Sequence, residues 1–216
     1  MNGPADIQAV IWDWNGTLLD DVDICVQSIN LMLTERKLHP LRKEEYTMLF
    51  DFPVVDYYRK IGFDLKKEDF SSLADEYMAL YFTLIKNAAL VEGVISVLQD
   101  FSNRGLQQLI ISAMRQEDLD ASVFRFGIRS YFSGIHGAKD HYAHGKIEHA
   151  TRIFRERFPD PEKVLLVGDT SHDAELAATL GCQCILFSGG HFSRPRLAQS
   201  KYPVIERMGD LILFAG

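Results

Sequence analysis

The sequence predicts an α/β protein: a doubly wound parallel sheet interrupted by an inserted α-helical segment. Three observations lead there. An apolar run, Ile7 to Trp12, reads as a buried parallel strand, ends on Asp13 and breaks at the turn-forming pair Asn15-Gly16. From Val91 onward, short apolar runs alternate with helical patterns, as in a sheet wound by right-handed crossovers. Between these regions, no convincing strand appears before Leu106, and the intervening sequence is mostly helical.

Taken in order, the first strand is followed by a helical pattern over Asp23 to Lys37, with Ile24, Ile29, Leu31, Met32 and Leu33 as its apolar residues. A second runs from Glu68 to Ile85, carrying Phe70, Leu73, Ala74, Tyr77, Met78, Leu80, Tyr81 and Leu84 at helical spacing, and Pro53 and Gly62 punctuate the middle. This places a core at 1–19 and 89–216, with a helical cap at 20–88. A helix from Gly93 to Arg104 stops at Gly105, a residue suited to a left-handed cap. Strand 106–112 follows, then helix Glu117 to Phe126, a short strand near Phe132 to His136 and helix Lys146 to Phe158. Strand Val164 to Gly168 leads to helix His172 to Leu180, Gly181 and strand Gln183 to Phe187; Val204 to Phe214 is expected to add a short strand and a last helix.

The net charge of −7, with no Lys/Arg run, argues against nucleic acid as a partner. No apolar stretch is long enough to span a bilayer, so no membrane partner is expected. Met1-Asn2-Gly3-Pro4 lacks the basic and apolar regions of a signal peptide, and three cysteines make no disulfide framework, so the expected compartment is cytoplasmic. Cys182 and Cys184 are expected to share one strand face as small buried hydrophobes. Oligomeric state is not readable from this chain.

A second acidic strand end lies in Leu165-Leu166-Val167-Gly168-Asp169-Thr170-Ser171-His172-Asp173. Hard divalent cations take carboxylate oxygens, and Mg²⁺ commonly uses one or two protein carboxylates plus water and phosphate. An Asp before a helix can also simply cap it. Paired with Asp13 at another strand's carboxyl end, the motif becomes specific, because one parallel sheet would bring Asp13 and Asp169 together with Asp173 beside them. Ser112, expected to end its strand, and Lys146, in His144-Gly145-Lys146, are unremarkable singly; their order between the two acidic motifs carries weight.

Ile11-Trp12-Asp13-Trp14-Asn15-Gly16-Thr17-Leu18 resembles the first motif of the haloacid dehalogenase-like (HAD) phosphatases, Asp-x-Asp-Gly-Thr, with Asn15 in place of the second acid. Asp13, Ser112, Lys146, Asp169 and Asp173 match that family's four motifs in order. The insert's position matches the cap of the phosphoglycolate phosphatase and β-phosphoglucomutase-like subgroup; Lys139 fits the lysine motif less well than Lys146. The resemblance implies a Mg²⁺-dependent phosphatase for a small phosphorylated metabolite, with phosphoglycolate-like monoesters the nearest guess. Asp13 would form an aspartyl-phosphate, and Mg²⁺ would be held by Asp13, the Asn15 backbone carbonyl and Asp169, supported by Asp173. Thr17, Ser112 and Lys146 would bind phosphate oxygens.

The departure at Asn15 touches the chemistry directly. The family's second acid protonates the departing alkoxide and then deprotonates water, whereas an amide does neither. General acid–base catalysis contributes about 10²- to 10⁴-fold. Three accounts stay open: a substrate with a good leaving group, a replacement acid among His172, His191, Asp20 and Asp21, or a slow hydrolase serving mainly to bind. His136, His141, His144 and His149 match no standard zinc spacing. Trp12 and Trp14 are expected to pack on the face opposite Asp13. Phe50-Asp51-Phe52-Pro53 occupies the place of the subgroup's specificity loop without its Gly, and Arg59 and Lys60 are guesses for anion contacts.

Overall fold

A computed structural model describes residues 7–138, 151, 154 and 156–214. Six strands form one parallel sheet: β1 (Ala9–Trp12), β4 (Gln107–Arg115), β5 (Gly134–Ala138), β6 (Val164–Gly168), β7 (Gln183–Phe187) and β8 (Val204–Ile205). Their order is β5-β4-β1-β6-β7-β8, so β1 is central, with Trp12 level with Ile110 on one side and Val167 on the other. The strands are continuous apolar runs because both faces are covered. Val10, Trp12, Ile110 and Val167 enter one core with helices α5 (Val94–Asn103) and α6 (Gln116–Arg125). Ile11, Leu109, Ile111 and Leu166 enter the other, with α7 (Ser171–Leu180) and the helical residue Phe154. The expected doubly wound α/β core is what the chain forms.

Between Asp20 and Ala89 the chain is helical: α1 (Val22–Glu35), α2 (Lys43–Leu49), α3 (Val54–Lys60) and α4 (Phe70–Leu84). The flanking strands β2 (Leu19–Asp20) and β3 (Ala89–Leu90) pair antiparallel, so the segment leaves and returns at one place. Its apolar face is not separate from the sheet. Ile29, Met32, Leu33, Tyr58, Leu73 and Tyr81 continue the core that contains Trp12. Arg36, directly after α1, ties the outer side by gripping Glu68 and Glu76, at 2.8 and 2.7 Å.

One expectation needs correction, and two are refined. The strand after α5 does not end at Ser112 but runs to Arg115, and its register against β5 shifts between Ile111 and Arg115. There Ser112 Oγ accepts a hydrogen bond from the Met114 amide at 3.1 Å, a local side-chain contact within an irregular strand. The expected short strand and last helix near the end are present, the helix being 3₁₀, Met208–Leu213. The insert holds two seven-residue helices, α2 and α3, too short to show a full apolar period in the sequence. Expectations that held include Cys182 and Cys184 in one core, Trp12 and Trp14 buried together in the other, and a left-handed Gly181 ending α7.

Candidate active site

Asp13 follows the last residue of β1, and its amide donates to Val167 O of β6 at 2.9 Å, which fixes it at the strands' carboxyl ends. Asp169 follows the last residue of the neighbouring β6, one step further along. Asp173, in the first turn of α7, folds back so that its Oδ2 accepts from the Asp169 amide (3.2 Å), the Thr170 amide (3.1 Å) and Thr170 Oγ1 (2.9 Å). This capping arrangement fixes the carboxylate while satisfying backbone donors at the helix start. The result is that Asp13, Asp169 and Asp173, all buried, offer ligand atoms within 4.8 Å of one another.

Such a triad suits a cation. Burial, reinforced by Asp13 and Asp173, raises Asp169 well above the usual carboxylate range despite the opposing influence of His191. Donors that hold Asp169 in place are Thr17 Oγ1 at 3.0 Å and the His191 amide at 2.6 Å. Close approach needs two glycines, since a Cβ at Gly16 or Gly190 would collide with the Asp169 carboxylate; Gly16 also has φ +69°. A buried set of three carboxyl groups offering only oxygen is the chemistry that Mg²⁺ satisfies.

The other predicted residues fall as follows. Thr17 is fully buried, with its hydroxyl turned to Asp169. Ser112 is buried on β4 beside β1. Lys146 lies outside the described residues, as do Lys139, His141, His144 and His149. Arg59 is not aimed at the triad: it pairs with Asp56 on the surface, where Lys60 is also exposed.

Asn15 sits in a network the sequence did not disclose. Its Nδ2 donates to Asp21 Oδ2 at 2.7 Å and to Tyr81 Oη at 2.8 Å, and Tyr81 Oη donates in turn to Asp21 Oδ2 at 2.8 Å. The Gly16 amide donates to Asp21 Oδ1 at 2.8 Å, and His191 Nε2 lies 3.3 Å from the same oxygen. His191 Nδ1 meets Tyr46 Oη at 3.0 Å. Core residues Asn15, Asp21 and His191 are thereby joined to Tyr46 of α2 and Tyr81 of α4. Burial alone would raise Asp21, but the neighbouring His191 and the hydrogen bonds from Asn15 and Tyr81 hold it below its ordinary value. Burial would likewise lower His191, yet Asp21 outweighs it and pushes the imidazole up to about 9. Asp21, Cys25 and His191 also converge within 4.8 Å; there the Asp21 carboxylate accepts from Asn15, the Gly16 amide and Tyr81.

The loop after β7 braces the helical segment. Arg196 stacks on Phe192, pairs with Asp51 at 3.2 Å and donates to Thr47 O and Phe50 O. Phe52 stacks face to face on His172 with centroids 3.9 Å apart, and Phe50 packs against His191. The Phe50–Pro53 stretch thus lies over the mouth formed by α7 and the His191 loop. Of the four candidate replacement acids, Asp21 and His191 lie in the Asn15 network, His172 is stacked under Phe52, and Asp20 is exposed.

Comparison with known proteins places this arrangement in context. A profile described as haloacid dehalogenase-like hydrolase matches residues 10–187. A phosphoglycolate phosphatase of Synechococcus elongatus is 23% identical over 191 residues, 88% of this chain and 88% of that protein. The tyrosine-protein kinase PtkA of Mycobacterium tuberculosis is 24% identical over 186 residues, 85% of this chain; the match spans only 63% of that relative's length. Among solved structures, that of PtkA superposes with a TM-score of 0.81 at 22% identity, covering 98% of this chain and 99% of that one. A haloacid dehalogenase-like protein of Agrobacterium tumefaciens gives 0.79 at 24% identity, covering 95% and 96%.

Proposed function

The chain belongs to the haloacid dehalogenase-like hydrolase family, and we propose that it is a phosphatase for a small phosphorylated metabolite, with Asp13 as nucleophile. The observation that carries this reading is the convergence of Asp13, Asp169 and Asp173 at the carboxyl ends of adjacent parallel strands. Residues 20–88 act as the cap over that site. The resemblance of 23% to a phosphoglycolate phosphatase supports the class of reaction. Arg59, a candidate anion contact, pairs with Asp56 on the surface.

In this mechanism an Asp13 oxygen attacks phosphorus in line with the departing group, and the aspartyl-phosphate is then hydrolysed by water. Asp13, Asp169, Asp173 and the Asn15 backbone carbonyl would hold Mg²⁺, which would offset the repulsion between carboxylate and phosphate. Asp173 and Thr17 keep Asp169 fixed, so the anionic pocket is formed before substrate arrives. Ser112 and Lys146 are assigned to phosphate oxygens, whereas Thr17, expected to join them, gives its hydroxyl hydrogen to Asp169. Tyr46 and Tyr81 close the cap onto His191 and Asp21, which excludes bulk water from the reacting centre.

The test is phosphoryl capture. Native protein incubated with labelled acetyl phosphate and Mg²⁺ is expected to carry acid-stable, hydroxylamine-labile label on Asp13, and Asp13→Asn none. Labelling that persists in Asp13→Asn would remove the nucleophile assignment.

A further inference from the structure

The hydrogen bonding around Asn15 constrains which phosphoryl compounds the site can turn over. Asp21 Oδ1 accepts from the Gly16 amide and Oδ2 from Tyr81 Oη, and it is the carboxamide nitrogen of Asn15 that faces this carboxylate, at 2.7 Å. Tyr81 gives its hydroxyl hydrogen to Asp21 and therefore accepts the second Nδ2 hydrogen. Both donors of Asn15 are committed, which leaves only the carbonyl Oδ1 for a ligand. That oxygen can orient a water or a hydroxyl, but it can deliver no proton to a departing oxygen.

Among the described residues, the candidate acids near Asn15 do not make up the deficit. Asp21 is 1% exposed and is surrounded by Asn15, the Gly16 amide, Tyr81, Cys25 and His191. His191 is engaged at both ring nitrogens, by Asp21 and Tyr46. His172 has its ring face against Phe52. Resting on the phosphatase reading above, we infer that the leaving group departs as an unprotonated anion, so the site selects acyl phosphates or phosphoanhydrides over alkyl phosphate esters.

The steps balance without a proton from the protein. An Asp13 oxygen forms a bond to phosphorus as the bond from phosphorus to the leaving oxygen breaks. The electron pair leaves on that oxygen, as a carboxylate from an acyl phosphate or a phosphate from an anhydride. Water then adds to phosphorus while the bond to Asp13 breaks. The pair returns to the Asp13 carboxylate, and inorganic phosphate carries away both water hydrogens.

The experiment compares kcat/KM, with Mg²⁺ present, for acetyl phosphate, pyrophosphate, 2-phosphoglycolate and glycerol 1-phosphate. Acetyl phosphate or pyrophosphate is expected to exceed both alkyl esters by tenfold or more, toward the 10²- to 10⁴-fold that a general acid supplies; which of the two is faster separates the acyl from the anhydride source. An alkyl ester within tenfold of the best substrate overturns the inference while leaving the phosphatase reading intact. No turnover of any compound, with no label on Asp13, overturns the phosphatase reading itself. The exchange variant Asn15→Asp/Asp21→Asn returns the acid to position 15 opposite an amide, and is expected to raise the alkyl rates tenfold or more with less effect on acetyl phosphate. A folded exchange variant with an unchanged ratio overturns the role given to position 15. Should that variant not fold, His172→Ala decides: selective loss of alkyl turnover would identify His172 as the acid and overturn the inference, and an unchanged ratio supports it.

Discussion

Asn15→Asp is the perturbation on which the sequence and the structure disagree. From the sequence alone, restoring the family's acid should raise monoester hydrolysis. In the structure the substituted oxygen falls where Nδ2 now stands, 2.7 Å from the Asp21 carboxylate. Two unit charges at that distance repel by about 6 kcal/mol at an effective dielectric of 20. Relaxation and proton uptake reduce this, and the loss of one partner from a buried charge-assisted contact gives a net cost of about 3–5 kcal/mol. For a chain of this size that lowers Tm by roughly 6–20 °C. The repulsion requires both carboxyls ionised, so the substituted carboxyl has a raised folded-state pKa. Its penalty is small near the carboxylate range and grows as pH rises. Thermal unfolding at pH 5 and pH 8 should show a gap between variant and native protein that is wide at pH 8 and narrower at pH 5. The exchange variant should recover most of it. An Asn15→Asp protein as stable as native at both pH values would refute the reasoning, because Asp21 would then not be what fixes Asn15.

Three further outcomes are expected. Saturating Mg²⁺ at about 100 times Kd should stabilise the protein by about 2.7 kcal/mol, raising Tm by roughly 5–11 °C, and calorimetry on Asp169→Asn should show no such rise. His191, whose pKa is pushed up to about 9 by Asp21, contributes stability that is complete below its unfolded value and lost as pH rises through 9. In chelator, therefore, Tm should fall between pH 7 and 9, and His191→Gln should flatten that fall; an equally steep fall in the variant would contradict the pairing. Arg196→Ala removes the stack on Phe192 and the contacts to Thr47, Phe50 and Asp51. Urea unfolding should register a loss of about 1–3 kcal/mol, and no change would mean that the brace on the cap is carried elsewhere.

What the sequence disclosed has a common physical origin. β1, β6 and β7 are buried on both faces, so their apolar runs stand out, and acids placed directly after such runs are conspicuous. Asp13, Asp169 and Asp173 were legible for that reason, as was the left-handed glycine after α7. The Asn15 network was not. Its members Tyr46, Tyr81 and His191 come from α2, α4 and the loop after β7; the tyrosines read by themselves as ordinary core residues, and His191 stood out only as a candidate replacement acid. Asp21 was named only as one of four neighbours in sequence. What singles it out is the set of donors that the folded cap and the His191 loop bring to it. Ser112 shows the reverse limit: apolar patterning located its strand, but the irregular continuation to Arg115 depends on local hydrogen bonding that no periodicity encodes.

The two-residue ribbon formed by β2 and β3 bears on how the chain reaches this fold. β1 must find β4 across the whole insert, Ile11 against Leu109, a pairing that burdens folding with a large loop-closure entropy. Once Leu19 lies opposite Leu90, the intervening helices become a side excursion and only short lengths of chain remain between the ribbon and each sheet strand. The ribbon shortens the route to the central sheet.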